Sequence, residues 1–170
     1  MPPQGALSKV SGVHPELRPY LGFFGTANLS ESQRRVLDTL SAGFVTDMNS
    51  GVADEKNLMR FRIIGMCAKF SDGRREIWID DFFWSLATEE ARLQLMLHEL
   101  GHCVLDRGHD HENGTYKRSQ DQKRPADQRD YESNGYLWDG CPMSVMYPSQ
   151  VSDLCFSKHN DAYLRELMGL

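Results

Sequence analysis

His98-Glu99-Leu100-Gly101-His102 is the segment of this 170-residue chain whose residue types and spacing point to chemistry. Residues four apart share a helical face, so His98 and His102 can turn two imidazole nitrogens towards one metal ion. Glu99 lies about 100° further round the helix, off the ligand face but placed to hydrogen-bond a water that the metal holds. Two neutral donors on rigid backbone with a carboxylate beside them are what zinc-assisted hydrolysis requires. A solvated polar helix face is the bland reading, and it fits poorly. The flanks are Leu95, Met96, Leu97, Cys103 and Val104, and two histidines and a glutamate in such surroundings are costly to bury without a partner.

Tetrahedral zinc takes a third protein ligand and keeps one position open. His109 is the leading candidate, because a helix running to Asp106 or Arg107 can be followed by a turn at Gly108 that returns His109 towards the metal. Asp110 and His111 are nearby substitutes. Glu132 replaces His109 if the third ligand is instead a glutamate on a downstream helix. His14 and His159 have no ligand spacing and read as surface or capping residues.

These groups need a scaffold. Thr88 is an N-cap, with Glu89 and Glu90 at the positive end of the dipole, and an apolar helix is predicted from there to about 106. Its apolar residues run nearly all round, as in the buried central helix of a small α+β domain. Upstream, Ser30 or Ser32 caps an amphipathic helix predicted over 31–48. The stretches 61–70 and 75–80 read as strands joined by the turn Ser71-Asp72-Gly73, hence as antiparallel neighbours. The proline- and glycine-containing 1–12 stretch reads as a loose arm. Residues 112–135 carry charges of alternating sign and almost no aliphatic side chain, the pattern of a solvated loop or of a lid beside a site. Ser157 or Asn160 caps a last helix that Gly169 stops.

Composition bounds the rest. Hydrophobic residues are 40% and charged residues 25%, enough for the core of a single domain. A formal charge of −5 argues against nucleic-acid binding. No apolar run reaches the roughly 18–20 residues of a membrane helix. No basic segment followed by an apolar one opens the chain, so no secretory signal is visible and the compartment is open. Cys67, Cys103, Cys141 and Cys155 contain no Cys-x-x-Cys pair, against a zinc ribbon; two disulfides and four buried thiols both fit.

The run from His98 to His109 resembles the extended zinc signature of the metzincin metallopeptidases. Ser144-Val145-Met146-Tyr147-Pro148 is similar to the Met-turn of that clan, most of all in its matrix metalloproteinase form, and 157–169 is similar to its closing helix. The third histidine comes one residue later than in the clan's pattern, with Leu105 and Gly108 where that pattern has glycine and histidine. The resemblance implies a zincin-like α+β domain spanning 1–170. Its upper part, 1–109, would hold a twisted sheet with an antiparallel edge strand and the central zinc helix; its irregular lower part, 110–170, would hold the Met-turn and the C-terminal helix. It implies one catalytic Zn2+ on His98, His102 and His109, with Glu99 as general base and acid. Met146 would pack beneath the metal and Tyr147-Pro148 would begin a substrate-pocket wall. Residues 76–80, with Trp78 and Ile79, would form the edge strand that pairs with an extended substrate.

The expected activity is therefore zinc-dependent endopeptidase action by a monomer on protein or peptide substrates, with the compartment secreted or periplasmic only by that resemblance. The alternatives are a zinc hydrolase with a downstream glutamate ligand and a non-catalytic module that keeps zinc for stability or binding.

Overall fold

The computed structural model describes residues 7–48, 63–109, 140–142, 144–147 and 150–170. Among them lie one three-stranded mixed sheet and five α-helices, a mixed α+β architecture. The chain divides into two units, Met1–Leu105 and Asp106–Leu170.

In the first unit a 3-10 turn at Pro15–Leu17 leads into α1 (Arg18–Gly25), followed by α2 (Glu31–Thr39). Ser30 caps α2 as expected. Its Oγ accepts the Gln33 N–H and Gln33 Oε1 accepts the Ser30 N–H, so two orphan donors are satisfied reciprocally. The helix predicted over 31–48 stops at Thr39, and β1 (Ser41–Val45) takes over. Over so short an apolar run the periods of a helix and a strand are hard to separate. Pairing decides between them: Ser41 to Val45 run parallel to a partner strand through five successive residues. Gly43 allows Val10 to cross the strand, since an added Cβ would stand 2.9 Å from Val10 Cγ1.

β2 (Gly65–Lys69) and β3 (Arg75–Asp80) form the predicted antiparallel pair, with Gly73 at φ +88° in the connection. The strand order is β1-β3-β2. The assignment of 76–80 to an edge is thereby corrected: β3 is paired on both sides, and β2 is the antiparallel edge among the described residues. Trp78 and Ile79 are 5% and 0% exposed, so neither is available to a substrate. The misplacement follows from reading β1 as helix, which hid the second neighbour of β3.

The expected loose arm is pinned from Ser8 onward. Glu76, buried in β3, accepts hydrogen bonds from Ser8 Oγ (2.5 Å), Trp78 Nε1 (2.7 Å) and the backbone N–H groups of Lys9 (3.1 Å) and Val10 (3.3 Å). Burial pushes the Glu76 carboxyl up, but the four donors together outweigh it and hold the group below its ordinary value. Val13 then pairs in parallel with Ala42 of β1.

α3 (Asp81–Leu86) starts on the Asp80 cap, and α4 (Glu89–Cys103) on the predicted Thr88 cap, whose Oγ1 accepts the Ala91 N–H at 3.1 Å. α4 packs on β2 and β3. Its C-terminal end is tied down twice. Cys103 is disulfide-bonded to Cys67 of β2, and the Arg75 guanidinium of β3 donates to the Cys103 carbonyl, placing positive charge at the negative end of the helix dipole. Opening the Cys67–Cys103 bridge, which spans 36 residues, is expected to cost about 4 kcal/mol through the freedom returned to the unfolded chain. Urea titration of the Cys67→Ser/Cys103→Ser double variant against the parent measures this; an unchanged midpoint would show that the bridge constrains nothing.

In the second unit, α5 (Asp153–Met168) begins earlier than predicted, on Ser152, whose Oγ accepts the Cys155 N–H at 3.2 Å. The predicted start near 157–160 coincides with a kink at His159 (φ −118°, ψ 17°) rather than an end. Gly169 (φ +70°) stops the helix where expected. A second disulfide joins Cys141 to Cys155. Among the described residues no helix is long and apolar enough to cross a membrane.

Candidate metal centre

α4 places His98 and His102 one turn apart on the same face, with Nε2 atoms 2.9 Å from each other and ring centroids 4.6 Å apart. The helix ends sooner than the sequence suggests, at Cys103. Asp106 then takes a left-handed conformation (φ 54°), so the reversal expected of Gly108 is made two residues earlier. Aspartate tolerates this region better than most side chains, which is why no glycine marks the position. Beyond it comes His109. One nitrogen from each of His98, His102 and His109 lies within 4.8 Å of the other two, and all three residues are half-buried.

The donor set fits a borderline-soft divalent cation: three imidazoles with no thiolate among them leave room for a further ligand. Two nitrogen ligands of one tetrahedral zinc ion stand roughly 3.3 Å apart, so the His98–His102 pair needs to open by only a few tenths of an ångström. Neutral imidazoles also make the site one whose loading falls as the histidines become protonated.

Glu99 is 4% exposed. Its carboxyl accepts a hydrogen bond from the Cys67 N–H of β2, while Oε2 has no partner among the described residues. Burial pushes the group up to about 8, against the opposing effect of that hydrogen bond. A divalent cation nearby acts in the opposite direction. An unpaired buried carboxylate oxygen is expensive, and it is the sort of atom a reacting group or its water satisfies.

The space for this carboxyl comes from Gly65. A Cβ built there would lie 2.6 Å from Glu99 Oε1, 3.0 Å from Glu99 Cγ and 2.7 Å from Leu95 Cδ1. Sequence reasoning passed over Gly65; a glycine inside a strand pattern is the signal that marks close approach of another group. Gln94, one turn before His98, was passed over too. It is 2% exposed and neither polar atom of its amide has a partner among the described residues.

In the second unit Ser144 and Tyr147 close a tight turn, the Tyr147 N–H reaching the Ser144 carbonyl at 3.2 Å. Met146 sits inside that turn and is fully buried, and its N–H donates to Ser144 Oγ at 3.0 Å. Two further ties steady the segment: the Cys141–Cys155 bridge and a 2.7 Å hydrogen bond from the Tyr163 hydroxyl to the Pro142 carbonyl. Tyr147 is half-buried. Pro148, Asp110, His111, Glu132 and the 112–135 stretch lie outside the described residues.

His14 does serve as a cap, its Nδ1 accepting the Glu16 N–H at 3.4 Å, and its ring meets Phe44 edge-on. His159 lies in α5 with its ring edge against Tyr163. Neither belongs to the cluster of three. No protein-family model, no curated protein and no solved structure matches this chain.

Proposed function

We propose that this chain is a zinc-dependent endopeptidase of zincin-like fold, acting as a monomer on protein or peptide substrates. The observation that carries the reading is the approach of three imidazole nitrogens to within 4.8 Å of one another, on and just beyond a helix that also bears a buried, half-satisfied carboxyl. His98, His102 and His109 hold the ion, which supplies Lewis acidity that brings a water's pKa towards neutrality. Glu99 Oε2 takes the proton as water attacks the peptide carbonyl and returns it to the departing amine. The Cys67 N–H holds the carboxyl in one orientation during that exchange. Burial excludes bulk water from it, so the proton is kept for the leaving group.

Met146 and Tyr147-Pro148 take the supporting and substrate-wall roles that the metzincin resemblance implies. Among the described residues the edge offered to an extended peptide is β2 rather than β3. Two disulfides suit an oxidising compartment.

The test is metal analysis of the purified chain, coupled to a peptide-library digest with and without chelator. One zinc per chain and cleavage that chelator abolishes are expected. A fully zinc-loaded chain that cuts nothing favours the non-catalytic module. His109→Ala and Glu132→Ala, assayed separately for zinc content, decide the third ligand: loss on the first alone is expected, and loss on the second alone gives the glutamate-ligand hydrolase.

A further inference from the structure

Glu166, in the last turn and a half of α5, divides its carboxylate between two segments of the second unit. Oε1 accepts from Arg107 Nη2, and Oε2 accepts from Ser144 Oγ at 2.6 Å. Arg107 Nη1 reaches further, to the backbone carbonyls of Glu166 (3.2 Å) and Leu167 (3.4 Å), where its charge also meets the negative end of the α5 dipole. Ser144 passes the connection on, because its oxygen receives the Met146 N–H at 3.0 Å. The side chains of Arg107 and Glu166 are 22% and 12% exposed, so solvent screens the pair far less than it would a surface ion pair.

We propose that Glu166 is a positioning residue for the metal centre, setting the link that carries His109 and the turn that carries Met146 from one carboxylate. The inference rests on the metallopeptidase reading above. Arg107 stands two residues before His109 and directly after Asp106, whose left-handed backbone makes the reversal at the end of α4. A guanidinium anchored by a carboxylate and two carbonyls leaves the short run to His109 little freedom. Each Glu166 oxygen serves one segment, so a shift in either is felt by the other. Outer groups that orient metal ligands in this way govern affinity for the ion more than they govern the fold.

The experiment compares the full-length parent with Glu166→Gln, Arg107→Gln and the double variant. Three quantities are read: Zn2+ affinity by competition with a chromophoric chelator, the ligand-field spectrum of the Co2+-loaded chain, and the unfolding midpoint of the metal-free chain. Each single variant is expected to weaken Zn2+ binding about tenfold or more and to change the Co2+ spectrum. The double variant should lose no more than the weaker-binding single, since both act through one contact.

Arg107→Lys retains the charge without the forked contact and is the substitute if Glu166→Gln does not fold; it is expected to fall between the parent and Arg107→Gln. Zn2+ affinities within twofold of the parent, with only the metal-free midpoint lowered, overturn the proposal and leave Glu166 a structural residue. Losses that add in the double variant overturn it as well. A parent that takes up no Zn2+ at all overturns the metallopeptidase reading itself, and this inference with it.

Discussion

Glu99→Gln is expected to lower peptide cleavage by about 100- to 10 000-fold, the usual worth of a positioned proton carrier, while one zinc per chain is retained. Glutamine has nearly the same volume and still offers an oxygen to the Cys67 N–H, so α4 and β2 keep their packing. What it loses is the ability to take up a proton at the second oxygen, the atom that has no partner among the described residues. The three histidines are untouched, and on the reading above they alone hold the ion. Metal analysis and kcat are measured together, with chelator as the blank. Undiminished cleavage removes Glu99 from the mechanism; loss of zinc makes it part of the ligand set.

Gly65→Ala should reach the same end by displacement. The added Cβ meets Glu99 Oε1 at 2.6 Å and Leu95 Cδ1 at 2.7 Å, distances that real contacts do not tolerate. Both atoms end flexible side chains, but both side chains are buried, and Gly65 is held in the ladder opposite Ile79. The carboxyl therefore moves before the backbone does. Misplacement of a reacting group by about 1 Å can cost roughly 100-fold in rate, whereas overpacking of this kind costs about 1–3 kcal/mol of stability. The expected signature is a large fall in kcat with zinc content intact and a modest fall in the unfolding midpoint. A variant with full activity would show that the position of Glu99 is irrelevant to turnover.

Much of the scaffold was legible because its signals are local. The Ser30 and Thr88 caps, the β2–β3 connection through Gly73 and the stop at Gly169 each depend on residues within a few positions of one another. So does the pairing of His98 with His102, since a helix repeats its face every four residues whatever surrounds it. Local signals mislead where two distant segments compete for one stretch of chain. Residues 41–45 look like the continuation of α2 until β3 is there to pair with them. Pairing also put β3 at the centre of the sheet and buried Trp78 and Ile79, which the sequence offers as edge residues.

The arm at Ser8–Val10 was illegible for the same reason. Nothing near it in sequence shows that a carboxylate 66 to 68 residues away will collect its donors. The ion pair of Arg107 with Glu166 and the Cys67–Cys103 bridge are of this long-range kind as well.

Which atoms are on offer can be read along the chain: two imidazoles at helical spacing, a carboxylate next to one of them, and a third histidine shortly after the helix. What those atoms meet depends on how the chain folds back on itself. That folding brought His109 to the other two through a left-handed Asp106, buried Glu99 against β2 in the space Gly65 leaves, and joined Arg107 to Ser144 through Glu166. The difference is one of range. Helical spacing and capping are set by covalent geometry over four or five residues, whereas burial and charge pairing are settled when segments far apart in the chain exclude water from the same space.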